Sequence, residues 1–367
     1  MLLFPLLISV GCDSGKIEVA DDTGGRDTDT DSDTDTDTDT DTDTGPAYTV
    51  CGDGTAPHTE IADAIDAAAD GDVLYVCAGE YAGFSVSGRT LTLTGDGSLT
   101  TFVDGDDTVA VVIEDSNVTL QGLSLTGTAD FDLGTSALWI AQSTVSAADL
   151  RIHDGDDLGG NAYGVLLDDS DSSWDHVTFE DNALSAVFAA TNGGSVVMRY
   201  AVFTSNAPSS RGGGGQVLYL DVDDFEVSNS LVYGNEVSGT SLVDLRDGTD
   251  GWFYNAVVHD NVGGDSAIAA GGASTVVENC IVSLNPDAIG VNTYGGATVQ
   301  YTDAWGNERN FGGTASVGAT NLEADPRFTN SAGGDFTLQA GFSPAIDAGN
   351  PLAGYNDADG SPNDMGA

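Results

Sequence analysis

Val217-Leu-Tyr-Leu-Asp-Val-Asp-Asp-Phe-Glu-Val-Ser-Asn-Ser-Leu-Val-Tyr-Gly-Asn235 decides the fold. It is a short apolar strand, a turn, and a second strand that closes on a four-residue signature ending in Asn. Its apolar residues alternate at period two, as in strands; a helix would repeat them at i, i+3, i+4, i+7. The unit recurs eight times between Ala110 and Asn307. The opening strands are Ala110-Val-Val-Ile, Ala137-Leu-Trp-Ile, Gly164-Val-Leu-Leu, Ala186-Val-Phe-Ala, Val217-Leu-Tyr-Leu, Leu242-Val-Asp-Leu, Ala267-Ile-Ala-Ala and Ala288-Ile-Gly-Val. Their starts lie 21 to 31 residues apart. That interval marks a solenoid, because one unit cannot bury its own apolar face and only stacking completes a core.

The closing Asn recurs at Asn182, Asn206, Asn235, Asn261, Asn285 and Asn307. Asn tolerates left-handed backbone and can bond its equivalent in the next coil, so these positions predict an amide ladder. Six residues before each lies a second column, His176, Tyr200, Asn229, Asn255, Asn279 and Tyr301. On these repeats the chain from about residue 48 resembles the right-handed parallel β-helix proteins of the pectate-lyase-like superfamily. The resemblance implies an all-β solenoid of roughly ten coils. It implies no single activity, since the superfamily holds lyases, hydrolases and adhesins.

Four segments follow. Residues 1–12 are an apolar run too short to span a bilayer but long enough for a signal peptide. With Ser9 and Gly11 before Cys12 they resemble a bacterial lipoprotein signal, which implies lipidation of Cys12 and a bacterial cell-surface, outer-membrane or secreted location. No Lys or Arg precedes Cys12, which a true start further upstream would explain. Residues 13–47, rich in Asp and Thr, have nothing to bury and repel themselves, so they read as a disordered tether. Residues 48–320 are the β-helix with its amino-terminal cap, and 321–367 a carboxyl-terminal cap. The cap helix is expected over Thr59–Ala69, with Thr59 as N-cap and Ile61, Ala64, Ile65 and Ala68 as its apolar face. Asp325-Pro-Arg-Phe, Ser343-Pro-Ala-Ile-Asp-Ala-Gly and the Asp-rich end resemble the closing segment of bacterial choice-of-anchor Q surface proteins. In that group the last residues run on into an aromatic and an acid, so a missing final strand or anchor is expected after Ala367.

Net charge is −50. Residues 13–45 hold 13 acids against two bases, which leaves 39 of those charges elsewhere in the chain. That field argues against nucleic acid and against anionic membrane surfaces, leaving any membrane contact to the lipid anchor. It favours neutral polysaccharides, matrix glycans, cations or basic surfaces as partners; a monomer is expected. Cys51 and Cys77 flank the cap helix and are expected to form a disulfide in an oxidising compartment. Cys280 falls in a column with Ala201, Ser230 and Ala256 and reads as a small core residue.

Chemistry is sought on the outward positions of the opening strands, taken as Val112, Trp139, Leu166, Phe188, Tyr219, Asp244, Ala269 and Gly290. Trp139, Leu166, Phe188 and Tyr219 in a row would make an apolar strip suited to sugar faces. Alternatively, the loops Asp154–Asn161 and Pro208–Gln216 cover it. Two residues on, Asp221 and Arg246 converge with Asp244. Pectate lyases of this fold hold Ca²⁺ on outward carboxylates and use an arginine base, so the resemblance makes Arg246 the candidate base and Asp221 and Asp244 metal or substrate ligands. The lyase Trp-Ile-Asp-His and the hydrolase motifs are absent as sets, and His58, His153, His176 and His259 lack metal or triad spacing. Asp357, Asp359 and Asp364 form a second candidate Ca²⁺ cluster. Three readings remain: a non-catalytic glycan-binding module, a Ca²⁺-dependent polysaccharide lyase or glycoside hydrolase, and a structural spacer.

Overall fold

The computed structural model describes residues 48–106, 108–127, 134–156, 162–208, 215–238, 241–246, 250–314, 318–352, 354–357 and 360–366. Cys12, the signal-like run, the Asp/Thr tether and Asp359 lie outside them. The described residues form a right-handed parallel β-helix with three faces. The first face carries the opening strands, from Phe84–Ser87 through Val111–Glu114 and Gln216–Leu220 to Arg309–Gly313. The second carries the strands that follow, among them Asp224–Ser228, Asp250–Tyr254 and Ser274–Glu278. The third is a ten-stranded sheet running from Gly79–Ala82 to Asp303–Trp305. Every pairing among these strands is parallel, and the antiparallel pair Phe328–Asn330 with Asp335–Leu338 belongs to the carboxyl-terminal segment.

The inward residues fill one continuous core. Trp174, Phe179, Phe188 and Phe203 are fully buried, with Phe179 stacked on Phe203 at 4.4 Å and Phe188 edge-on to Trp174 at 5.1 Å. The expected Asn ladder is present. Side-chain amides pass Nδ2 to Oδ1 from Asn182 through Asn206, Asn235, Asn261 and Asn285 to Asn307, each at 2.9–3.0 Å. Each Oδ1 also accepts the backbone N–H of the preceding Asn in the ladder. Buried amides satisfied in this way contribute about 1 kcal/mol per bond, and an unpaired one would cost more. The second column is left-handed at every member, with φ between 47° and 54°, and His176 stacks on Tyr200 at 4.7 Å. Asn229, Asn255 and Asn279 follow the aligned residues Ser228, Tyr254 and Glu278 in one column. Cys280 is buried as a core residue, and burial pushes its thiol up to about 12.

The cap helix spans Ile61–Ala67 and buries Ile61, Ala64 and Ile65. Its N-cap is Glu60, without a side-chain bond, so Thr59 does not cap it. The carboxyl end is held instead by Arg89, whose Nη1 donates to the Ile65 and Ala68 carbonyls. Cys51 and Cys77, each one residue beyond the paired Val50 and Val76, are joined by a disulfide with Cα atoms 5.0 Å apart. The carboxyl-terminal segment packs on the outside of the third face. Phe336 meets Tyr233 at 5.0 Å and Phe328 meets His259 at 5.2 Å, while Ala345 and Met365 pack with Val257 and Ile281. Burial in this contact holds His259 below the usual imidazole value. Among the described residues no helix is long and apolar enough to cross a membrane.

Candidate functional site

On the first face the outward column is Val112, Trp139, Leu166, Ala189, Tyr219, Asp244, Ala269 and Asn292. Two members differ from expectation. Phe188 pairs with Val165, points inward and is fully buried, so Ala189 takes its outward place. The stretch Ala186-Val-Phe-Ala-Ala190 is apolar in both phases, and burying a ring of this size stabilises by about 2–3 kcal/mol, so the phenylalanine sets the register. Gly290 likewise yields its place to Asn292. The apolar strip is therefore Trp139 and Leu166, both half-buried, then a small buried alanine, then Tyr219. Of the two loops expected to cover the strip, residues 157–161 and 209–214 lie outside the described residues.

Tyr219, Asp221, Asp244 and Arg246 do come together. Adjacent coils place Tyr219 beside Asp244, and the next outward position of each strand holds Asp221 or Arg246. Arg246 Nη2 lies 2.9 Å from Asp244 Oδ2, its guanidinium carbon is 5.1 Å from the centre of the Tyr219 ring, and the Tyr219 hydroxyl donates to Asp221 Oδ2 at 3.4 Å. Tyr294, two coils on, donates to Asp244 Oδ1 at 3.4 Å. The Asp244 side chain is only 7% exposed, and this burial raises its carboxyl above the ordinary range despite the arginine beside it. Burial works against the charge of Arg246 too, but Asp244, the two tyrosines and Asp221 outweigh it and hold the guanidinium more firmly protonated than usual. A guanidinium in this state does not serve as a proton base, whereas it and the carboxylates around it can hydrogen-bond hydroxyl groups.

Of the second carboxylate cluster expected from the sequence, Asp357 and Asp364 line one groove beside Asn229 and Asn255, and Asp359 lies outside the described residues. Asp364 Oδ1 accepts the Asp347 N–H at 2.7 Å and Asp357 belongs to a turn with Ser361. Among the described residues no three His, Cys, Asp or Glu side chains are grouped to hold a metal.

Two arrangements escaped the sequence. Ser124 Oγ lies 2.7 Å from His153 Nε2, and His153 Nδ1 lies 2.6 Å from Asp154 Oδ2, in the order of a nucleophile, base and orienting acid. Residues 29 apart meet here because stacking turns sequence distance into one coil spacing. Ser124 is fully buried, so the arrangement satisfies polar groups and gives a substrate no access to the hydroxyl. The second is a groove of about 430 Å³ on the second face, lined by Val197, Asp224, Glu226, Trp252, Tyr254 and Tyr355, among others. Its signal was available. Asp250-Gly-Trp-Phe-Tyr254 alternates at period two, with Gly251 and Phe253 inward and Trp252 outward, a signal carried by the second strand of the unit and not by the opening strand.

Residues 136–304 match the family model described as a right handed beta helix region. Among solved structures, the chain is similar to pectate lyase Pel9A at 12% identity, with 85% of this chain and 90% of that one covered and a TM-score of 0.56. It also aligns with a pectin methylesterase from carrot (13% identity, 77% and 89% covered, TM-score 0.41). The Azotobacter vinelandii mannuronan C-5 epimerase AlgE6 A-module aligns at 16% identity, over 76% and 100%, with a TM-score of 0.35. The first of these supports the fold alone. No curated protein sequence matches the chain.

Proposed function

We propose that this is an exported cell-surface β-helix protein that binds neutral polysaccharide or matrix glycan without cleaving it, using the first face. The observation that carries the reading is the continuity of half-buried Trp139 and Leu166 with the Tyr219–Asp221–Asp244–Arg246 cluster along one column of parallel strands. Apolar faces suit the C–H surfaces of sugar rings, and the cluster supplies acceptors and a donor for hydroxyl groups. Surface exposure follows from the resemblance of the amino-terminal run ending at Cys12 to a lipoprotein signal.

Elimination from a uronate requires a base that has already lost its own proton and can take the substrate's, and Arg246 is held by Asp244 in the protonated state. The lyase reading therefore needs bound Ca²⁺ to displace the arginine from its carboxylates. Affinity electrophoresis of the full chain through gels containing neutral polysaccharides tests the binding reading: retardation of the wild type, relieved by Trp139→Ala, is expected. Ca²⁺-dependent release of unsaturated uronate by the wild type, abolished in Arg246→Ala, would replace it with the lyase.

A further inference from the structure

The groove on the second face lies on a different sheet face from the cluster just described, and its geometry owes nothing to it. Glu226 and Trp252 are neighbours in one outward column, paired across adjacent coils. Trp252 is 44% exposed, a large ring left open to solvent on a chain whose other described tryptophans are buried or half-buried. Its neighbour Tyr254 stands perpendicular to it, with ring centres 6.5 Å apart. Tyr254 donates its hydroxyl to Glu226 Oε1 at 2.8 Å, and Arg199 Nη2 donates to the same oxygen at 2.9 Å. These bonds fix the carboxylate beside the indole while leaving Oε2 its acceptor capacity. Below them, Gly251 occupies an inward position where a Cβ would fall 2.2 Å from the Phe225 ring, so the absent side chain lets that ring fill the core under Trp252. The carboxyl-terminal segment supplies the far wall, Tyr355. It is tied down nearby by Asn350, whose Nδ2 donates to the buried Glu278 Oε1 at 2.7 Å and whose N–H donates to Asn279 Oδ1 at 2.7 Å.

We propose that this groove is a second saccharide-binding site, which takes one or two residues of a neutral sugar chain with a pyranose ring stacked on Trp252. The class follows from the wall chemistry. The indole offers a flat apolar face to ring C–H groups, and Asp224 and Glu226 accept hydrogen bonds from hydroxyls. The same two carboxylates repel uronates, and Arg199 is already engaged by Glu226 and offers them little compensation. A groove of about 430 Å³ falls within the range of small-ligand sites. Tyr355 makes the site depend on docking of the carboxyl-terminal segment.

Calorimetric titration of the full chain with cellohexaose, mannohexaose, xylohexaose and, separately, pentagalacturonate provides the test. At least one neutral oligosaccharide is expected to bind. Trp252→Ala should weaken that binding about tenfold, the size of one lost stacking contact, while Trp139→Ala leaves a residual site that Trp252→Ala then weakens by the same factor. Glu226→Gln, which keeps the shape of the side chain, should weaken it less. Wild-type affinity in Trp252→Ala, or no binding by any neutral oligosaccharide, would overturn the second site. Tighter binding of pentagalacturonate than of the neutral sugars would overturn the ligand class. Loss confined to Trp139→Ala would leave the first-face reading standing and remove this one, so the two fail separately. Circular dichroism of each variant confirms folding, which a substitution at so exposed a ring should not disturb.

Discussion

The first and second faces each carry an arginine, a carboxylate and aromatic rings in neighbouring coils, yet the two clusters are built to opposite ends. On the first face Asp244 is buried and the guanidinium of Arg246 lies over the Tyr219 ring, so these groups mostly serve one another and leave exposed Asp221 and the outer edge of the guanidinium to a ligand. On the second, Glu226 is 35% exposed, Arg199 is 49% exposed, and the Trp252 ring stays open. Composition does not separate these clusters. Burial decides whether a carboxylate costs stability or keeps acceptor capacity for a ligand.

Asp303 calibrates the comparison, being a carboxylate buried without an arginine. Its Oδ1 accepts the Ala324 N–H at 3.0 Å, while Oδ2 finds no hydrogen-bond partner, and burial raises the carboxyl to about 6. A folded-state value above the ordinary 3.8 means that the fold binds this proton more tightly than the unfolded chain does. Stability from this group is thus complete below 3.8 and is lost as pH rises through about 6. Asp303→Asn should then gain roughly 2–3 kcal/mol at neutral pH and converge with the wild type in acid, as read by urea denaturation. Equal gains at both pH values would show that the charge is not the cause.

A smaller effect is expected at Asp244. Its raised carboxyl means that the ion pair with Arg246 does not repay desolvation, so Asp244→Asn should be nearly neutral. Asp244→Ala also strips the hydrogen bonds from Tyr294 and Gln216 and should cost about 2 kcal/mol. If alanine and asparagine prove equally costly, the pair with Arg246 matters more than burial, and the contrast between the faces is lost.

Glu226 should give the least change and the opposite pH dependence. Burial would raise its carboxyl, but the hydrogen bonds from Tyr254 and Arg199 win and hold it below 4.5. Its stability is therefore present above that value and lost as pH falls through the depressed one, the reverse of Asp244, which gains as pH falls toward 3.8. Glu226→Gln should cost no more than about 1 kcal/mol at neutral pH. Stability profiles of the two variants, each subtracted from the wild type, should slope in opposite directions in acid, and parallel slopes would refute the distinction.

The repeat period, the strand type, the Asn ladder and the convergence of Tyr219, Asp221, Asp244 and Arg246 were legible because each depends on residue type recurring at a near-constant interval. Where that regularity failed, the reading failed with it. At Ala186–Ala190 alternation carries no phase, and only the packing of Phe188 against Trp174 and Phe179 chose which residue turned outward. The pairing of Ser124 with His153 and the approach of Tyr355 to Trp252 depend on coil stacking and on a terminal segment folded back along the solenoid.

By itself, then, the sequence determined a stacked parallel solenoid, since periodic apolar strands and Asn-closed turns leave few other ways to bury their side chains. Only the tertiary structure decided which aromatic rings remain open and which carboxylates are shut in. Exposure of a side chain is set by what lies across from it, and in this fold that neighbour is a coil away in sequence or, for Tyr355, about a hundred residues from the ring it faces.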